Sequence, residues 1–166
     1  MTENIARDKQ QAAYHEAGHA AIANYCGLDW TAKIEPRLAA SVLESCFSGQ
    51  VTTYGKLTPF RQSAKSWGGT VAEAILNGKR DSPEPDLDYI ISNAFDTFTY
   101  ELDSISTTDM RGITFTPFTY RSCCYAGRLL LKLWPQVEAI AQDLLANGIT
   151  EAYLYQTASK AKGTGG

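Results

Sequence analysis

The chain has 166 residues, 44% hydrophobic and 20% charged, with a formal net charge of −3. That length and balance suit one ordinary globular domain, whose core is large enough to need no disulfide staple. The slight acidity gives no electrostatic case for binding nucleic acid or an anionic membrane surface.

The first expected element is a helix over residues 6–25, where helix formers run without proline and Gly27 offers a C-terminal stop. It contains Tyr14-His15-Glu16-Ala17-Gly18-His19-Ala20, an H-E-x-x-H pattern that holds the only two histidines of the chain. Residues i and i+4 share one helix face, so both imidazoles can reach a single ion. Glu16, rotated about 100° from His15, is placed to reach a water in the ion's open position rather than to ligate. Two His ligands, a third protein ligand and a metal-bound water make a catalytic zinc site, with the Glu as general base. Ala12, Ala13, Ala17, Gly18, Ala20 and Ala21 surround the motif with small side chains. Gly18 costs about 1 kcal/mol relative to Ala in mid-helix, which points to close packing or a catalytic cleft there.

Residues 28–37 read as a short strand ending at Pro36, residues 39–43 as either a helical turn or strand, and residues 45–54 as a second strand in which Gly49 marks a bulge. The two strands are expected to pair beside the motif helix and to offer an edge on which an extended peptide docks by main-chain hydrogen bonds. Thr58-Pro59 starts a second helix that runs to about Asn77 and is stopped by Gly78. Trp67, Val71, Ala74 and Ile75 form its apolar stripe, and Gly68-Gly69 within it suits close packing on another helix. Pro85-Asp86-Leu87-Asp88 opens a third helix, carried on by Tyr89, Ile90, Ala94, Phe98 and Leu102. Residues 104–119 read as an irregular loop bordering the cleft. Residues 120–146 form the longest helical stretch, kinked or broken near Trp134 by Pro135 and ended by Asn147-Gly148. Thr150 is expected to cap a last short helix. The domain spans residues 1–162, with a helical subdomain from about residue 58 onward, and residues 163–166 are a flexible tail.

Cys26, Cys46, Cys123 and Cys124 form no C-x-x-C pair, and the polar N-terminus has no apolar signal region. Free thiols in a reducing, cytoplasmic compartment are therefore expected. No apolar run approaches the length of a membrane span. With no third histidine, zinc must take Asp, Glu or Cys as its third protein ligand. Asp86, Asp88 and Glu73 are the carboxylates in question. Asp86 and Asp88 also lie where a helix start favours a cap, and Glu73 where a solvated carboxylate would be unremarked.

The order of these features resembles the peptidase domain of the FtsH family, the membrane-anchored AAA-type zinc proteases. The motif helix is similar to that family's metal-binding helix almost letter for letter. Lys33-Ile34-Glu35-Pro36-Arg37 resembles its following strand ending in Pro-Arg. Trp67-Gly68-Gly69-Thr70-Val71-Ala72-Glu73 resembles its Gly-Gly-Arg-Ala-Ala-Glu segment, with Thr70 in place of the Arg. Pro85-Asp86-Leu87-Asp88 resembles the Asn-Asp-Leu-Glu whose Asp is the third zinc ligand, and that carries the ligand role onto Asp86. The resemblance covers roughly residues 6–157, matches poorly between Leu102 and Tyr120, and includes neither a P-loop nor a membrane anchor.

The expected fold is therefore α+β and mostly α-helical: a zinc-motif helix with a small β-sheet beside it, followed by a helical bundle. The resemblance implies a stand-alone zinc metalloendopeptidase in which His15, His19 and Asp86 hold Zn²⁺ and Glu16 activates the water. Its substrates would be peptides or unfolded proteins, and folded ones only with a separate ATPase or adaptor. The family forms rings, partly through an ATPase module that this chain is expected to lack, so homo-oligomerisation is left open. The alternative is a non-catalytic or regulatory binding protein that retains the scaffold and the metal site.

Overall fold

The computed structural model describes residues 2–37, 46–102 and 117–156. The elements run α1 (Thr2–Tyr25), β1 (Asp29–Pro36), β2 (Phe47–Tyr54), α2 (Pro59–Asp81), α3 (Leu87–Leu102), α4 (Pro117–Lys132), α5 (Trp134–Asn147) and β3 (Ile149–Glu151). The fold is α+β and mostly helical, with a three-stranded antiparallel sheet in the order β2-β1-β3. No helix among the described residues is long and apolar enough to cross a membrane.

The motif helix α1 lies at the centre, and the alanines of its middle let neighbouring elements come close. Ala13, Ala17, Ala20, Ala21 and Ala23 are all fully buried. Helices α2 and α5 and the sheet pack around it. On the α5 side Tyr14 stacks on Trp134 with ring centroids 5.7 Å apart. Lys9 Nζ also donates to the Leu145 carbonyl at 3.0 Å, near the C-terminus of α5, where the helix dipole favours a cation.

On the α2 side the two backbones nearly touch. A Cβ added at Gly18 would collide with the Gly68 carbonyl oxygen and lie 2.6 Å from Ala72 Cβ. The expectation of close packing at Gly18 and Gly68-Gly69 is thus met by one crossing. Gly18→Ala gains about 1 kcal/mol of helix propensity. It also adds strain against a backbone carbonyl, at the upper end of the overpacking range, about 3 kcal/mol. The expected net loss of about 2 kcal/mol appears in thermal unfolding as a Tm roughly 4–8 °C lower. A variant as stable as the native chain would contradict so close a crossing.

Several boundaries follow local chemistry. The Thr58 hydroxyl accepts from Arg61 N at 3.3 Å, capping α2 with Pro59 in its first turn. Pro135 splits the leucine-rich stretch into α4 and α5 at Leu133 and sits in the first turn of α5. Gly148 ends α5 in the left-handed conformation, at φ 75°, with its N–H on the Leu144 carbonyl. Its own carbonyl then accepts from Ile34 N at 2.8 Å and starts the third strand.

Other expectations give way. Gly78 does not stop α2, which runs on to Asp81. The glycine is needed for what crosses it, since an added Cβ would meet Pro85 Cβ at 2.9 Å and Tyr89 Cε1 at 3.3 Å. Gly49 forms no bulge. The register runs residue for residue from Asp29↔Tyr54 to Pro36↔Phe47, through Ile34↔Gly49. The expected last short helix is present over residues 153–156, but Thr150 does not cap it; it is a buried residue of β3, paired with Ala32. Its hydroxyl donates to Asp143 Oδ2, which also accepts from the Tyr155 hydroxyl and so ties the chain after β3 back to α5. Residues 39–43, most of the 104–119 loop and the 163–166 tail lie outside the described residues.

Candidate metal centre

His15 and His19 stand one turn apart on the buried face of α1, and their rings meet edge to face with centroids 4.8 Å apart. Each ring is oriented from its Nδ1 side by α2. His15 Nδ1 lies 2.6 Å from Glu73 Oε1. His19 Nδ1 lies 2.7 Å from the Lys65 carbonyl oxygen. A carbonyl only accepts, so Nδ1 of His19 carries the hydrogen, and the Glu73 carboxylate draws the Nδ1 hydrogen of His15 in the same way. The two Nε2 atoms therefore face each other, 3.1 Å apart. With both rings neutral that places two lone pairs against each other, and either a shared proton or a cation must relieve the contact. Zinc binds imidazole nitrogen at about 2.0–2.1 Å, so one ion can reach both atoms at this separation. Imidazoles fixed by a carboxylate and a backbone carbonyl on their other nitrogens are the usual outer support of a zinc site. The two imidazoles suit zinc, and a complete site needs a third protein ligand beside them.

Lys65, Gly69 and Glu73 follow the i, i+4, i+8 rhythm of one face of α2, and all three serve the histidines. The Lys65 carbonyl holds His19 and Glu73 holds His15. Gly69 clears the space that the His15 ring fills; a Cβ there would lie 2.5 Å from its Cδ2 and Cε1. Glu73 is itself steadied by Gln11 Nε2, which donates to Oε2 at 3.1 Å. Sequence reasoning missed Lys65 and Gly69. The four-residue spacing back from Glu73 was the available signal.

Glu16 is 7% exposed and His19 6%, yet both line a cleft of about 540 Å³ between α1, α2 and β2. Ser48, Gly49 and Val51 of β2 form one wall of it. The Lys65 ammonium donates to Thr53 Oγ1 at 2.8 Å and ties α2 to that wall. Among the described residues β2 is an edge strand, and Lys33 and Glu35 of β1 line the cleft beside it.

Asp86 makes its contacts at the start of α3. It precedes α3, is exposed, and its Oδ1 accepts from Asp88 N at 3.3 Å while its carbonyl accepts from Ile90 N. Asp88 is exposed in the first turn of α3. Glu73 meets His15 at Nδ1, on the opposite side of the ring from His19. Among the described residues no three His, Cys, Asp or Glu side chains come together as a metal-holding group, so the structure brings His15 and His19 together without Asp86. The four cysteines are free thiols. Burial pushes the Cys123 and Cys26 thiols up, away from the thiolate that a metal would require.

The chain matches no protein-family model and no curated protein.

Proposed function

We propose that the protein is a zinc-dependent metallopeptidase that cleaves extended peptides. The observation that carries this reading is the pair of Nε2 atoms facing each other at 3.1 Å, with both Nδ1 atoms held by α2, beside a buried Glu16 at the wall of a cleft. His15 and His19 would bind zinc through Nε2, and the likeness to the FtsH peptidase domain makes Asp86 the proposed third ligand. For Asp86 to serve, a carboxylate oxygen must be carried to the Nε2 atoms of His15 and His19. Bound zinc would supply Lewis acidity, polarising the scissile carbonyl and acidifying a water. Glu16 takes the proton of the attacking water on its carboxylate and returns it to the leaving amine. Glu73 and the Lys65 carbonyl keep both rings in the tautomer that leaves Nε2 for the metal. The substrate backbone pairs with the open edge of β2, which holds the peptide extended across the cleft.

Zinc-loaded protein incubated with a library of unstructured peptides tests this reading. Cleavage that stops on chelation and returns with zinc is the expected result. A protein that holds zinc and leaves every such peptide intact would instead be a binding protein built on the same scaffold.

A further inference from the structure

Glycine at position 49 has no local reason to be there. It lies inside β2, in an unbroken antiparallel ladder opposite Ile34. Its backbone is not among the left-handed ones, which belong to Gly27, Gly55 and Gly148. Glycine weakens a strand interior, and an exposed strand position favours a β-branched or aromatic residue. The demand comes from α1. A Cβ at position 49 would collide with Glu16 Cγ and lie 2.5 Å from Oε1 and 2.7 Å from Cδ. The carboxylate thus rests directly on the backbone of the strand that borders the cleft.

We infer that Gly49 is a positioning residue for Glu16: by lacking a side chain it lets the carboxylate lie against the edge strand, and the strand backbone sets where that carboxylate stands. The inference rests on the peptidase reading only for its catalytic consequence; the steric coupling of Gly49 to Glu16 stands without it. Through this contact the base and the docking strand share one register. A peptide paired with β2 is presented at a fixed offset from the group that takes the proton. A side chain at 49 would push the carboxylate away from the strand while leaving the Nε2 atoms of His15 and His19 where they are.

The test is a double-mutant cycle with two readouts. In thermal unfolding, Gly49→Ala is expected to lower Tm in the native background and to leave it unchanged or raise it in the Glu16→Ala background, where nothing occupies the space. Neighbours that touch give such non-additive effects. In peptide cleavage, Gly49→Ala is expected to lower kcat about a hundredfold, as a misplacement of about 1 Å does, with KM and zinc content unchanged. Glu16→Asp draws the carboxylate back by one methylene, so Gly49→Ala should cost less than about tenfold in that background. An equal Tm loss in the native and Glu16→Ala backgrounds would overturn the inference, as would an unchanged kcat in an otherwise active enzyme. If the native protein cleaves nothing, the unfolding cycle still decides the role of Gly49, and only the peptidase reading fails.

Discussion

Glu16→Gln is expected to retain its zinc and to lose peptide cleavage by about a hundred- to ten-thousandfold, the usual contribution of a positioned general base. The amide has the shape of the carboxylate, so it fits the same space against Gly49 and leaves the packing of α1 on β2 intact. It cannot accept the proton of the attacking water. Glu16 is 7% exposed, and replacing a nearly buried charge by a neutral group does not weaken the fold. The variant should therefore separate chemistry from structure: native Tm, native zinc content, turnover lost. Cleavage at the native rate by the Gln variant, measured on the peptide that the native protein cuts best, would remove Glu16 from the mechanism.

His15→Ala and His19→Ala are each expected to lower zinc affinity by about a thousandfold, a ligand's share of the binding free energy of a closed protein site. Glu73→Gln is expected to lower it about ten- to a hundredfold, because Glu73 orients His15 through Nδ1. Asp86→Ala should follow the histidines, and Asp88→Ala should leave affinity at the native level. Competition against a chromogenic chelator measures all five. The order of the effects carries the information. A loss in Glu73→Gln as large as in His15→Ala would make Glu73 a ligand rather than an orienting group. Native affinity in Asp86→Ala would move the third ligand elsewhere in the chain.

Local chemistry was enough to read much of this fold from sequence. Thr58-Pro59 begins α2 because a hydroxyl acceptor and a residue without an N–H both answer the open donors of a first turn. Pro135 divides α4 from α5 because it cannot complete the ladder across Leu133. The histidine pair was legible because a spacing of four places both rings on one face. What escaped reading depends on neighbours remote in sequence. Gly78 resembles a helix stop but is required by the passage of Pro85 and Tyr89. Gly49 resembles a bulge but is required by Glu16, 33 positions earlier in the numbering. Thr150 suits a helix cap, and the partner that makes it a strand residue is Ala32. Glu73 was open between solvated carboxylate and ligand, since periodicity gives its face on α2 but not which imidazole nitrogen it meets.

These distant contacts also explain why the crossing of α1 and α2 is made of small residues. Two helices that cross at Gly18 and Gly68 bring α2 close enough for a backbone carbonyl and a carboxylate to hold both rings. Larger side chains at the crossing would move α2 outward and leave the histidines without their orienting partners. Packing and site are in this sense one arrangement.

In the proposed mechanism everything depends on a zinc site formed by His15 and His19. The most direct measurement is the metal content of the purified, zinc-equilibrated protein by mass spectrometry, beside the His15→Ala/His19→Ala double variant. About one zinc per native chain is expected, and none held by the double variant. A native chain that holds no zinc after equilibration would contradict such a site, as would a double variant that holds as much as the native chain.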